Sequence, residues 1–198
     1  MFSDAENGVS TFFTQDEVLP YVILMPNVGS RAALWQEIDA KKRSTPARML
    51  ISMFHTENLE NTFLRLTGEF RWEMCKTEQG VHWNDISDPS LTAMYCDYLQ
   101  FYRKNSSLSQ ETREKLSITL KNNSNNFKKV FIEDYFVYMK YESQGAVRLN
   151  RTARGILFSF CPFAKPIRDR LGDNPLFADC MKKYEAEMAS RLRTIDIF

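Results

Sequence analysis

The sequence predicts an all-α protein, a bundle of helices joined by short loops. Apolar residues recur at helical spacing over most of the chain, and residues that favour helix N-termini stand before several of these stretches. Glycine or proline follows several of them, as at helix ends. A hydrophobic content of 43% in 198 residues can bury a sizeable core. We expect one domain, or one domain with an appendage.

The first third of the chain is expected to begin as a loose tail and to continue as helices. Residues 1–14 are polar and mixed, whereas Tyr21–Met25 is an apolar run between two prolines that predicts an extended segment docked on the core. Ser30 can cap a helix from Arg31 to about Lys42, and Pro46 favours another helix start. The apolar positions of that second helix are Met49, Leu50, Met53 and Phe54.

Residues 68–86 allow two interpretations after a helix that Thr56 is expected to cap. Alternating apolar residues at 70–74 and a turn at Gly80 would form a β-hairpin. The competing interpretation extends the preceding helix through Cys75 and places a loop at Gly80. The pattern by itself slightly favours the hairpin.

The helical signal is clearer from Asp88 onwards. Phe127–Tyr141 is apolar nearly all round, which is typical of a helix at the centre of a bundle, and Gly145 ends it. Ser109 and Thr112 indicate the start of the helix before it. Further helices are predicted from Asp88-Pro89, over Arg151–Phe160, over Ile167–Leu171 and from Asn174-Pro175 to Leu192.

Composition and charge indicate a cytoplasmic protein. The net charge of +1 gives no overall bias towards nucleic acid or an anionic membrane, and we expect no nucleic-acid partner. The N-terminus lacks a signal-peptide pattern, and no apolar run is long enough to cross a membrane. The four cysteines are widely spaced, as expected of thiols in a reducing compartment.

Enzyme signatures are weak throughout the chain. Its two histidines, His55 and His82, are far apart and have no neighbours at metal-ligand spacing. The glycines form no phosphate-binding loop, and the carboxylate pairs at 85–88 and 133–134 are more typical of helix caps and solvated charges. We predict no catalytic centre, no metal and no cofactor.

One basic cluster offers an alternative binding function. It consists of Arg148, Arg151, Arg154, Lys165, Arg168 and Arg170, interleaved with phenylalanines. Such a patch could bind phosphates, lipid headgroups at the inner face of the plasma membrane, or RNA. The competing interpretation is a pair of amphipathic helices with an aromatic core side and a solvated basic side, and the near-zero net charge favours it.

Three short segments occur in a fixed order between Arg48 and about Phe160. They are His55-Thr56-Glu57-Asn58-Leu59, then Met94-Tyr95-Cys96-Asp97-Tyr98-Leu99 followed by Thr112-Arg113-Glu114, then Phe136-Val137-Tyr138-Met139-Lys140-Tyr141-Glu142-Ser143. Their order and spacing resemble the regulator of G-protein signalling (RGS) domain. The resemblance implies a tail and docking segment at 1–29, an RGS-like helical domain at 30–160, and helices at 161–198 that complete or extend the bundle.

RGS domains are nine-helix bundles that bind the switch regions of a G-protein α subunit (Gα) and accelerate its GTP hydrolysis. They contribute no catalytic atom to the phosphate and instead hold the switches in the conformation that suits the transition state. By resemblance, the Gα-binding residues of this chain are Phe54, Glu57, Asn58, Ser107 and Glu142. The resemblance therefore predicts a GTPase-activating regulator without a catalytic centre of its own, whose partner is Gα.

Two positions depart from the RGS pattern. Ser107 stands where the family usually has asparagine, and its hydroxyl reaches less far. Ala146 stands where a basic residue is expected, and Val147 replaces the aromatic residue after it. These departures leave two alternatives open, an RGS-homology scaffold without GTPase-activating activity and a helical adaptor that uses the basic cluster.

Overall fold

A computed structural model describes residues 20–27, 32–35, 47–54 and 57–195 of this chain. These residues are predominantly helical, as predicted, but they are not all-α, because they also form a small β-sheet that the sequence did not predict. The described part holds seven α-helices and two short 3-10 helices. The chain divides into two compact units, one spanning residues 16–136 and one that includes residues 137–198.

The sheet has three short strands, β1 (Tyr21–Met25), β2 (Ala32–Trp35) and β3 (Arg48–Ser52). β3 lies in the middle, parallel to β1 and antiparallel to β2. In this register Ile23 lies beside Leu50 on β3, and Ala33 lies beside Leu50 on the other side.

The helices predicted from Arg31 and from Pro46 are wrong where the structure describes the chain. Side chains of β3 alternate, so that Met49 and Ile51 are buried while Leu50 between them is only partly buried. The short apolar run therefore has a period of two rather than 3.6. The extended conformation predicted for Tyr21–Met25 is confirmed, but its docking on the core is wrong because most of its side chains are exposed. Ser30 and residues 36–46 lie outside the described part.

Four helices follow the sheet in the unit of residues 16–136. They are α1 (Leu59–Gln79), α2 (Leu91–Phe101), α3 (Gln110–Asn122) and the first part of α4 (Phe127–Lys140). The helical interpretation of residues 68–79 is correct, and the chain leaves α1 at Gly80, whose φ of 57° suits glycine. Thr56 lies outside the described residues, and Asn58 caps α1.

The unit that includes residues 137–198 contains three further helices, α5 (Arg151–Phe160), α6 (Lys165–Leu171) and α7 (Pro175–Ile195). Their predicted bounds are confirmed to within a few residues. Gly145 ends the turn after α4 with a φ of 87°, a left-handed conformation that favours glycine.

An aromatic cluster holds the helices of residues 57–136 together. The Phe131 ring lies 5.1 Å from Trp72 and 5.1 Å from Tyr95, and 5.9 Å from Tyr135 on its own helix. Phe131 and Tyr135 are fully buried, as predicted for a central helix. A Cβ atom at Gly68 of α1 would lie 2.9 Å from the Tyr135 ring, so α1 and α4 approach closely at this glycine.

Candidate functional site

Large apolar side chains are exposed on both sides of the α1 N-terminus. Phe54 follows β3 and is 80% exposed, and Leu59 and Phe63 stand one turn apart on α1 with 54% and 43% exposed. Met53 is exposed as well. We call Met53, Phe54, Asn58, Leu59 and Phe63 the α1-start surface. Exposed aromatic and aliphatic side chains that lie close together in the sequence, with a polar residue among them, are typical of protein-binding segments.

Asn58 has a local structural role on this surface. Its Oδ1 accepts a hydrogen bond of 3.2 Å from the backbone N–H of Asn61, which satisfies one of the open donors at the start of α1. Glu57 precedes it and is partly exposed. The two residues that the RGS resemblance aligns with a switch-contacting pair therefore lie at a rigid helix start, beside the exposed Leu59.

Ser107 lies in the loop between α2 and α3, where local hydrogen bonds fix the backbone. The Asn105 Oδ1 accepts from the Ser107 backbone N–H at 3.0 Å and from its hydroxyl at 2.6 Å. The Arg113 guanidinium donates to the Asn105 carbonyl at 2.9 Å. This Asx-type turn presents the exposed Ser107 from an ordered loop.

Contacts between α1, α2 and α4 indicate where this loop lies relative to the α1-start surface. Cys75 Sγ on α1 lies 3.4 Å from Thr92 Oγ1 on α2. One turn earlier on α1, Trp72 contacts Phe131, and Phe131 also contacts Tyr95, one turn later on α2. α1 and α2 therefore run antiparallel. The start of α1 and the loop that follows α2 lie on the same side of this contact.

Glu142 occupies a different environment from the other predicted Gα-binding residues. It is fully buried, and its carboxylate accepts from Arg154 Nε at 2.8 Å and from Arg154 Nη2 at 3.1 Å. Oε1 also accepts from the backbone N–H groups of Arg148 and Leu149, at 2.9 and 2.7 Å. Arg154 Nη2 donates in turn to the Leu149 carbonyl. We call Glu142 and Arg154 the buried ion pair; it fastens the segment between α4 and α5.

The buried ion pair has the properties of a structural element. All four recorded hydrogen bonds to the Glu142 carboxylate come from groups of the chain itself. A buried charge that is paired and hydrogen-bonded in this way holds the local fold rather than binding a ligand. No spacing rule links Glu142 to Arg154, so the pair cannot be predicted from the sequence pattern.

The side chains of the basic cluster are mostly exposed, and they also make contacts within the chain. All five of its arginines are engaged within the chain: Arg148 lies over the Tyr141 ring, Arg151 pairs with Asp179, Arg154 pairs with Glu142, Arg168 donates to the Phe163 carbonyl and Arg170 donates to the Ser143 carbonyl. Lys165 is exposed at the start of α6. Arg154 is buried, whereas Arg148, Arg151 and Arg170 are exposed, which agrees with a solvated basic side. Anion binding by this cluster stays a prediction.

The other candidate groups have local roles. Asp85 Oδ1 accepts from the Ser87 hydroxyl and backbone N–H, and these bonds, with the nearby His82, lower the pKa of Asp85. His82 Nδ1 lies 3.6 Å from the Asp85 carboxylate, so the prediction that His82 has no carboxylate neighbour is wrong. Among the described residues, no group of three or more His, Cys, Asp or Glu side chains could hold a metal ion.

The two remaining features concern membranes and thiols. Across the described ranges, no helix is long and apolar enough to cross a membrane. All four cysteines are outside disulfides, and three of them are buried. Burial raises the pKa of the Cys96 thiol to about 11, which makes it a poor nucleophile at neutral pH.

Comparison with known proteins gives one match. Neither the curated proteins nor the solved structures include a match to this chain. A family model described as "Domain of unknown function (DUF8509)" matches residues 80–198. The matched range begins at the end of α1 and takes in α2 to α7, so it contains Ser107, the buried ion pair and the basic cluster. Because it covers more than half of the sequence, the chain belongs to the DUF8509 family.

Proposed function

We propose that this protein is an RGS-type regulator that binds a Gα subunit and accelerates its GTP hydrolysis. The α1-start surface is the observation that carries the proposal. It combines an aromatic residue that is 80% exposed, Phe54, with the capping residue Asn58. Exposed aromatic side chains at the centre of a patch commonly supply most of the affinity of a protein interface.

The proposed mechanism requires no catalytic group on this chain. The polar side chains of Asn58 and Ser107 would order the switch glutamine of Gα, and the apolar side chains of the α1-start surface would supply affinity. Both residues stand on locally hydrogen-bonded backbone, as a surface that pre-organises a partner's active site needs. The protein would then act in the cytoplasm, at the membrane face where Gα subunits reside.

The proposal includes an RGS-like arrangement of the helices. It is supported by the order of the three sequence segments and by the antiparallel α1–α2 pair packed on α4. The small sheet before α1 is not part of the RGS pattern and would be an addition to it.

A second candidate function is Gα binding without acceleration. The burial of Glu142 favours it, because a carboxylate held by Arg154 and two backbone N–H groups has little capacity left for a partner. The departures from the RGS pattern at Ser107 and Ala146 also favour binding without acceleration. The alternative of a helical adaptor that uses the basic cluster receives less support, because the arginines of that cluster are engaged within the chain.

Single-turnover GTP hydrolysis against a panel of Gα subunits tests the proposal. We expect Asn58→Ala to slow the stimulated hydrolysis at least about tenfold, since an unpaired polar contact of this kind is worth on the order of 1–2 kcal/mol. Ser107→Asn should preserve or raise activity. Because Asn58→Ala also removes a helix cap, Asn150→Ala, which removes the cap of α5, is the matched control and should leave stimulation unchanged.

A binding measurement separates the two candidate functions. Phe54→Ala should weaken binding to Gα in its transition-state form by at least about tenfold. The control Ile118→Ala removes another exposed apolar side chain, on α3, and should have no effect. Binding without stimulated hydrolysis would establish the second function. If neither Phe54→Ala nor Asn58→Ala changes binding or hydrolysis, the proposed surface is wrong.

A further inference from the structure

The outer edge of β1 has unusual chemistry for an exposed strand. β1 is an edge strand of the described sheet, and its sequence Tyr21-Val22-Ile23-Leu24-Met25 contains no charged residue. Val22 and Leu24 are 53% and 62% exposed, and Tyr21 is 61% exposed on the opposite face. Exposed edges are normally protected by charges, prolines or bulges within the strand, because an open edge pairs readily with another strand.

The hydrogen-bond pattern shows which backbone groups of β1 point outward. The Tyr21 N–H donates to Ala47 and the Met25 carbonyl accepts from Met53, both at 2.8 Å, so Tyr21, Ile23 and Met25 direct their backbone groups towards β3. In a strand the intervening residues face the opposite way. The N–H and carbonyl groups of Val22 and Leu24 therefore point to the open edge.

From this arrangement we infer that β1 pairs antiparallel with β1 of a second copy of the chain. Placing the twofold axis at Ile23 sets Val22 opposite Leu24 of the partner copy. The outward groups of these two residues can then form four inter-strand hydrogen bonds. The result would be one continuous six-stranded sheet.

The absence of charge makes the second copy the fitting occupant. The pairing partner must be a strand that is apolar on both faces, and β1 itself meets this requirement. When β1 pairs with β1 of a second copy, no like charges face each other, because all five residues of the strand are uncharged. Pro20 and Pro26 limit the pairing to these five residues. An interface this short belongs to the small, weak class, so dimerisation should depend on concentration.

Sedimentation-equilibrium ultracentrifugation of the full chain over about a hundredfold range of concentration tests the inference. The wild type should shift from monomer to dimer. Ile23→Lys should weaken association at least about tenfold, because the two lysines would face each other across the axis. Trp35→Lys, which adds the same charge to the exposed end of β2, should leave association unchanged.

A charge-swap mixture makes the test specific for the twofold register. Ile23→Lys and Ile23→Glu should each be monomeric, and an equimolar mixture should form a heterodimer because opposite charges then meet at the axis. Circular dichroism checks that each variant is folded. If these variants do not fold, Leu24→Pro, which removes an outward N–H and no hydrogen bond to β3, replaces them and should abolish the dimer. A wild type that stays monomeric, or a dimer indifferent to all Ile23 and Leu24 variants, would overturn the inference.

Discussion

The two helical regions of this protein are stabilised by different interactions. Between residues 57 and 136 the helices meet at an aromatic cluster of Trp72, Tyr95, Phe131 and Tyr135. Beyond residue 137 there is also an aromatic core, with Tyr138 stacked on Phe163, but the buried ion pair stands within that region. One region is centred on ring packing, and the other adds a charge pair with matched hydrogen bonds.

This difference affects how each region should respond to mutation. Ring packing is non-directional in its hydrophobic part, so it should tolerate changes that conserve volume and suffer from those that open a cavity. An ion pair should fail when either partner is removed, because the remaining charge is then buried without compensation. The two regions can therefore be separated by the size and the additivity of mutational effects.

The largest effect is expected at Phe131. Its ring is fully buried and contacts Trp72, Tyr95 and Tyr135. Phe131→Ala should lower the free energy of unfolding by about 3–5 kcal/mol, measured by urea denaturation. Phe136→Ala is expected to have a similar effect, whereas the exposed Ile118→Ala is the control. Losses below about 1 kcal/mol at both phenylalanines would show that α4 is not central.

Removing one partner of the buried ion pair should be nearly as damaging. We expect Glu142→Ala and Arg154→Ala each to cost about 3–5 kcal/mol, and the double variant to cost far less than their sum. Arg151→Ala breaks the exposed pair with Asp179, whose side chains are 76% and 60% exposed, and should cost less than about 1 kcal/mol. Additive losses at Glu142 and Arg154 would disprove the coupling.

Replacing Lys128 should have a smaller effect on stability, and this effect should depend on pH. Its Nζ lies 2.6 Å from Glu69 and 2.7 Å from Glu73. Burial lowers the pKa of Lys128, but the two carboxylates outweigh it and the net pKa is raised. This contribution to stability is therefore complete below the unfolded-state pKa of about 10.4 and is lost as the pH rises through the folded pKa.

Urea denaturation at several pH values measures this contribution. Lys128→Met should lower stability by about 1 kcal/mol at neutral pH, and its difference from wild type should shrink at strongly alkaline pH. The control Lys115→Met removes an exposed helix pair with Glu111 and should have a smaller effect than Lys128→Met. A difference that grows with rising pH would contradict the assignment.

The four native cysteines report on the two regions without any mutation. Cys75 is partly exposed and Cys96 is buried in the first region, while Cys161 and Cys180 are buried in the second. Burial raises the pKa of both Cys96 and Cys180, which slows their reaction further. Alkylation followed by mass spectrometry should label Cys75 at least about tenfold faster than the other three. Early labelling of Cys161 or Cys180 would show that the ion-paired region opens first.

The sequence determined most of the helices because their signals are local. Ser109 caps α3 at its predicted start, α5 begins at the predicted Arg151, and α7 begins at Pro175 of the predicted Asn174–Pro175 start. A cap joins a side chain to a backbone group three residues away, so it can be recognised without knowing the rest of the fold. The apolar spacing of α4 can likewise be recognised without knowing the rest of the fold.

Tertiary structure decided the features that depend on distant partners. β2 and β3 are too short to distinguish a period of two from one of 3.6, and only pairing with each other and packing of Met49 and Ile51 near Leu66 made them strands. Glu142 was predicted as a surface residue by its motif position, yet Arg154, twelve residues on, holds it in the interior. A strand and a buried charge both require partners that lie far along the chain, and a local pattern carries no information about where those partners come to lie.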